Sequence, residues 1–130
     1  METLAGVSRK HPQYVYARLQ NSLQQEWELV QRVTLGIGDA FGPVEKALWE
    51  TFVSELFEGL GEGEPERGVT HLTVKQAGLA LLDPTLIAPE NWTASCVITG
   101  HLVASLRGQV DFRTADHLAC RREGWEAVWR

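Results

Sequence analysis

Two cysteines and two histidines in the last third of the chain carry the side chains best suited to metal binding or covalent catalysis. They follow the spacing Cys-x4-His-x15-His-x2-Cys, which is formed by Cys96, His101, His117 and Cys120. The second pair suits two zinc ligands on one helical turn, but the first pair is spaced too widely for one helical face. We therefore favour small buried thiols and partly exposed imidazoles, and we predict no metal and no cofactor.

Nucleophilic catalysis would need further groups beside these thiols, namely an orienting residue and an oxyanion site. The sequence identifies neither group, and it contains no Gly-x-Ser-x-Gly elbow. Its four aspartates are scattered, so it lacks the adjacent carboxylates that hold two catalytic metal ions. We predict that the chain has no catalytic residues and is not an enzyme.

Phosphate binding would require a local patch of basic side chains, because the formal net charge of the chain is -5. The acidic excess lies mainly in residues 51–70, and the rest of the chain is close to charge balance. The basic residues that could form such a patch are Lys75, Arg107, Arg113, Arg121 and Arg122. Without an overall basic field we expect weak contact with nucleic acid at best, the alternative being a solvated surface.

A first helical pattern precedes these residues. Apolar side chains recur every three or four positions and predict a helix from Pro12 to about Val33. The apolar stripe consists of Val15, Leu19, Leu23, Trp27 and Val30. The other face holds Arg18, Gln24, Gln25, Glu28 and Arg32.

Two further apolar patterns predict a second and a third helix. The second begins near Pro43 and ends near Gly59, and it should pack on the first because the connection between them is short. The third begins at Pro84 or Pro89 and stops near Gly108. Because the third is apolar on more than one face, we expect it to be the central and most buried helix.

The remaining segments complete an all-α, or nearly all-α, fold of about four helices. Asp111 or Thr114 can cap the fourth helix. One short extended segment is predicted near residues 69–75, where apolar and polar positions alternate. We expect residues 1–11 to be disordered and residues 12–130 to form a single small helical domain.

Two features bear on mobility and compartment. Residues 59–68, GLGEGEPERG, predict a flexible acidic loop, since glycine and proline oppose regular structure. No secretory signal or membrane-length apolar run is visible, and two cysteines without such a signal indicate reduced thiols. We therefore expect an intracellular protein of the cytoplasm or nucleus.

Four segments together resemble the region downstream of the polymerase palm in reverse transcriptases of non-LTR-type retroelements. They are SLQQEWELVQRVT (22–34), FGPVEKALWETFVSELFEGL (41–60), HLTVKQAGLALLDP (71–84) and APENWTASCVITGHLVASLRG (88–108). In that family a thumb-like helical segment ends in Leu-Pro-x-x-x-Gly-Gly-Leu-Gly-Leu, and an Asp/Asn-Pro pair follows. The matching residues here are Leu72, Gly78, Leu79, Leu81, Asp83 and Pro84. Thr73 replaces the proline, and Ala77 and Ala80 replace two of the glycines.

The resemblance implies a detached, retrotransposon-derived piece of an RNA-directed DNA polymerase. Such polymerases carry paired palm carboxylates that this sequence lacks, so the piece would be non-catalytic. A thumb contacts duplex phosphates, which implies weak binding of an RNA or DNA duplex.

The five tryptophans offer an alternative of another class, a small helical protein–protein interaction module. Trp27, Trp49 and Trp92 lie on apolar stripes and are predicted to be core residues. Trp125 and Trp129 could expose an apolar patch near the end of the chain. In that case we expect self-association or a protein partner, and no membrane contact.

Overall fold

The chain folds into five principal helices in the part that the structure, a computed structural model, describes: residues 2–8, 10–56, 70–76 and 78–128. The helices are α1 (Glu2–Ser8), α2 (residues 12–33), α3 (residues 42–56), α4 (Pro84–Leu106) and α5 (Thr114–Val128). No strand occurs in these ranges, which confirms the predicted all-α fold. The predicted loop at 59–68 lies outside them.

Two of these helices change their winding part of the way along. Helix α2 is α-helical at Pro12–Arg18 and Gln24–Val33 and π-helical at Leu19–Leu23. Helix α3 is likewise α-helical at Gly42–Ala47 and Ser54–Leu56 and π-helical at Leu48–Val53. A 3₁₀ turn, Gly38–Phe41, connects the two helices.

The core lies between α2 and α3. Its buried members are Val15, Leu19, Trp27, Phe41, Leu48, Trp49, Phe52, Val53 and Leu81. Most of them come from the apolar patterns that predicted the first and second helices, so the helical period located most of the core. Leu81 belongs to neither pattern, and it reaches the core from the connection between α3 and α4.

That connection differs from the extended segment predicted near 69–75. Thr70 and His71 are helical, and Val74–Gln76 form a 3₁₀ turn. The backbone N–H groups of Ala80 and Leu81 donate to the carbonyls of Leu72 and Thr70, at 2.8 and 3.1 Å. The chain therefore folds back on itself here, because its backbone groups pair with one another rather than with a neighbouring strand.

The N-terminus also differs from the prediction of disorder over residues 1–11. Residues 2–8 form α1, which contacts α2 and α3. The side chain of Ser8 is buried by this packing, with 1% exposed. Packing against α2 and α3 orders a segment that the sequence pattern left unassigned.

Helix α4 is buried along only part of its length. Its buried residues are Pro84, Ala88, Asn91 and Ala94, and from residue 95 onward no side chain of this helix is buried. The first half packs on α2, whereas α5 covers one side of the rest. The prediction of a central, most buried helix is therefore wrong for the second half of α4.

Polar residues of α2 are also buried. Gln24, Glu28 and Gln31 are buried, while Val30 of the predicted apolar stripe is 42% exposed. The Gln31 amide donates to the Pro84 carbonyl at 2.7 Å and accepts from the Asn91 amide at 2.7 Å. These long-range hydrogen bonds offset the cost of removing the Gln31 amide from water, since its nitrogen and its oxygen each keep a partner.

Replacing Gln31 with alanine should destabilise the fold by about 3 kcal/mol, because it removes two buried hydrogen bonds and leaves a cavity. Urea unfolding followed by tryptophan fluorescence measures this change in the free energy of unfolding. Gln25→Ala, at an exposed position of the same helix, is the matched control. Equal losses in the two variants would contradict the role of Gln31.

Burial raises the pKa of the Glu28 carboxyl, and Arg32 and a hydrogen bond with Gln24 offset this only in part. The folded state therefore holds the Glu28 proton more tightly than the unfolded chain does. This contribution to stability is fully present below the unfolded pKa and is lost as the pH rises through the folded pKa.

Glu28→Gln should consequently gain stability relative to the wild type as the pH rises from acidic to neutral. Thermal unfolding across that range, followed by circular dichroism, checks the direction. Glu50→Gln removes an exposed carboxylate 3.8 Å from Lys46 and controls for net charge. A Glu28→Gln gain that shrinks with rising pH would show that the Arg32 ion pair outweighs the cost of burial.

Candidate functional site

Residues 72–76 and 78–84, here called the motif segment, are held against α2 by a ladder of side-chain hydrogen bonds. The Tyr16 hydroxyl and the Gln20 amide donate to the Leu79 carbonyl, at 2.5 and 2.8 Å. The Gln24 amide donates to the Ala80 carbonyl at 3.4 Å. Together with Gln31, these donors lie on one face of α2, so they fix the path of an otherwise irregular backbone.

The side chains of the motif segment connect this backbone to the core and to α4. Leu81 is fully buried and Leu79 packs against the core, whereas Leu72 is 39% exposed. The Asp83 carboxylate caps α4 by accepting from the backbone N–H groups of Thr85 and Leu86, at 2.8 and 3.3 Å. Pro84 is the first residue of that helix. The segment thus sets the direction in which α4 leaves the core.

Two positions of the motif segment have backbone requirements that favour glycine. A Cβ atom at Gly78 would lie 2.1 Å from the Leu72 carbonyl oxygen, so no larger residue fits without a backbone shift. Ala80 has φ of 51°, in the left-handed region that L-residues with a Cβ adopt at a cost. The segment is therefore closely packed at one position and strained at the other.

The five basic residues do not form one patch. Arg107, Arg113, Arg121 and Arg122 are exposed on the turn after α4 and on α5. Lys75 precedes α4, and His71, four residues before Lys75, lines a pocket with Leu86 and Glu90 at the start of that helix. Lys75 therefore lies near the start of α4, whereas Arg107 follows its last residue. The 23 residues of α4 span about 34 Å, so these two basic residues are far apart.

Acidic side chains lie beside one of the remaining four arginines, Arg113. Asp111 and Asp116 line an open pocket together with Arg113 and His101. Their carboxylates reduce the positive potential at the turn between α4 and α5. The arrangement is suited to weak and salt-sensitive contact with phosphate rather than to tight binding.

The cysteines and histidines of the zinc pattern do not converge. Cys96 is exposed and Cys120 is half-buried, and both are free thiols. The His101 Nε2 atom accepts from the Arg113 backbone N–H at 3.0 Å, and Phe112 lies between the His101 and His117 rings. Among the described residues no group of three or more potential ligands could hold a metal ion. The prediction of buried thiols is wrong for Cys96, which lies on the outer side of α4.

Tryptophans contribute to the packing of the molecule in different ways. Trp27 and Trp49 are core residues as predicted, whereas Trp92 is half-buried. Trp125 is 42% exposed, and the Arg32 guanidinium lies 5.8 Å from its ring centroid, which links α5 to α2. Trp129 lies outside the described residues.

The chain matches no protein-family model, no curated protein and no solved structure. In the described residues, no helix combines the length and apolar character that a bilayer crossing requires. An assignment of function therefore rests on the chain's own residues.

The sequence pattern did not single out the residues that hold the motif segment. The donors are Tyr16, Gln20, Gln24 and Gln31. Their spacing of four, four and seven places them on one helical face, and a row of tyrosine and glutamine there is a usable signal. The signal is ambiguous, because such residues also suit a solvated face.

Ala80→Gly should stabilise the protein by about 0.5–1 kcal/mol, since relief of the left-handed strain exceeds the added entropy of the unfolded chain. Gly78→Ala should destabilise it by about 2 kcal/mol or more, because the new Cβ overlaps backbone atoms. Urea unfolding measures both changes. Gly42→Ala, where a Cβ would meet nothing within 4 Å, is the control. Loss of stability in Ala80→Gly would contradict the strain at this position.

Proposed function

We propose that the chain is a non-catalytic, retroelement-derived fragment that resembles the thumb-like region downstream of a reverse transcriptase palm, and that it retains weak contact with nucleic-acid duplexes. The observation that carries the proposal is the backbone of the motif segment. The family motif has glycine at the positions of Gly78 and Ala80. In this chain the first position excludes a Cβ atom, and the second has φ of 51°.

Both requirements are physical reasons for two of the three glycines of the motif. A chance match of short apolar strings would not be expected to require glycine at the same positions. The ladder from α2 adds support, because it involves the matched region 22–34 through Gln24 and Gln31. The resemblance therefore agrees with local geometry as well as with residue types.

Weak duplex contact is the activity that we propose for the exposed arginines of the α4–α5 hairpin, one just after α4 and two in the middle of α5. Arg107, Arg121 and Arg122 would contact phosphates, and Lys75 would not contribute because it lies near the other end of α4. The net negative charge of the chain keeps this binding weak, because it repels phosphate. We further propose an intracellular location, which the two free thiols support.

A second candidate function is a protein–protein interaction module. The observation that favours it is the outer side of α4, where exposed side chains between Thr93 and Leu106 carry no formal charge. Val103 and Leu106 on this side are 40% and 89% exposed. An exposed apolar helix face is typical of a surface that binds another protein.

Fluorescence anisotropy of a labelled RNA–DNA primer–template duplex tests the first function. We expect binding at low salt that weakens steeply as salt increases. Reversing Arg107, Arg121 and Arg122 to glutamate should lower the affinity at least about tenfold and reduce the log–log salt slope by about 2–3. Lys75→Glu should change little.

A triple reversal of Lys10, Arg18 and Lys46 is the matched control, because it changes the net charge equally at residues away from the α4–α5 turn. Equal losses in the two triple variants would indicate a general charge effect and no interface at these arginines. No binding of the wild type at low salt would refute the duplex-binding function.

A further inference from the structure

We propose that the outer side of α4 is a homotypic interface at which two copies of the chain pair their α4 helices antiparallel about a two-fold axis. The inference rests on the second candidate function above and names its partner. The surface, here called the outer stripe, consists of the exposed residues Thr93, Cys96, Thr99, Gly100, Val103 and Leu106. Successive members are three positions apart, except for the adjacent Thr99 and Gly100, so they lie on one side of the helix.

The outer stripe lacks the charges that normally keep an exposed helix in water. Residues 91–106 contain no aspartate, glutamate, lysine or arginine. A helix that is apolar on several sides is ordinarily covered on those sides. Here α5 covers one side of the second half of α4, and no side chain after residue 94 in this helix is buried.

The polar groups of the outer stripe are already satisfied within the helix. The Thr93 hydroxyl donates to the Pro89 carbonyl at 2.9 Å, and the Thr99 hydroxyl donates to the Ser95 carbonyl at 2.8 Å. Such bonds to the preceding turn leave the threonine methyl groups for packing. A partner can therefore cover the stripe without leaving these donors unpaired.

Charges at the two ends of the outer stripe favour a second copy as the occupant. Glu90 is exposed just before the stripe, and Arg107 is exposed just after it. In an antiparallel pair, Glu90 of each copy lies near the partner's Arg107, so two opposite-charge contacts form. In a parallel pair, Glu90 would instead lie near the Glu90 of the second copy, and Arg107 near its Arg107. Like charges would then lie side by side.

Other occupants fit this surface less well. A nucleic acid would require basic side chains, and the outer stripe has none. The stretch 57–69 of the same chain contains four glutamates, which would lose water against an uncharged face. A second copy brings the same uncharged face and the opposite charge at each end, as a two-fold interface requires.

The size of the outer stripe limits the strength of this contact. The stretch from Glu90 to Arg107 is about 25 Å long at a helical rise of about 1.5 Å per residue. One pair of helices of this length buries less surface than the roughly 1,600 Å² of a standard interface. We therefore expect a reversible dimer that forms in the micromolar range.

Sedimentation equilibrium of the whole chain, at concentrations across the micromolar range and at low salt, tests the inference. The wild type should shift from monomer to dimer. Glu90→Lys and Arg107→Glu should each weaken the dimer about tenfold, because each change creates two like-charge contacts. The double variant restores both contacts in reversed sense and should recover most of the affinity.

A second pair of variants tests the surface itself. Val103→Glu should abolish the dimer by placing a charge in the outer stripe. Leu29→Glu makes the same change at an apolar residue of α2 that is 63% exposed, and it should leave the dimer intact. Circular dichroism of each variant confirms that it is folded, so that lost association is not lost structure.

Three results would overturn the inference. They are a wild type that stays monomeric at all these concentrations, a double charge variant as weak as the single variants, and equal effects of Val103→Glu and Leu29→Glu. Duplex binding is measured separately, and Val103→Glu lies outside the proposed phosphate contacts. A monomer that binds duplex refutes only the dimer, whereas a dimer that does not bind duplex refutes only the duplex-binding function.

Discussion

The buried amide of Gln31 is the interaction on which the arrangement of the helices depends. It donates to the backbone of Pro84 and accepts from Asn91, each at 2.7 Å, so it joins α2 to the first two turns of α4. An amide with no exposed surface keeps its stability only while both partners stay in place. The position of α4, and therefore that of α5, follows from this contact.

The motif segment changes the direction of the chain between α3 and α4. Its backbone runs along α2 under donors from Tyr16, Gln20 and Gln24, and Asp83 then caps α4. The strain at Ala80 is held by hydrogen bonds on either side of it. The hydrogen bonds around Ala80 therefore set its backbone conformation against the local preference of alanine for negative φ.

The molecule consequently has two unlike parts. Helices α1 to α3 surround a core of leucine, phenylalanine and tryptophan, whereas the later half of α4 and α5 form a hairpin with little buried surface. The hairpin carries both surfaces for which we propose a function: arginines at its turn and on α5, and the uncharged stripe along α4. Among the described residues, the thiols and imidazoles of the hairpin form no group of three or more that could hold a metal ion.

The sequence by itself determined four of the five principal helices, α2 to α5, because their signals are local. The apolar period predicted α2 and α3, and prolines and glycines marked where α3, α4 and their connections begin or end. Tertiary structure decided which polar residues are buried and how the chain crosses from α3 to α4. Gln31 and Pro84 are 53 residues apart, and no local pattern shows that they meet. For the same reason the sequence placed Glu28 among surface residues, made α4 too central and left α1 unassigned. Each of these outcomes depends on which surfaces of distant segments come into contact.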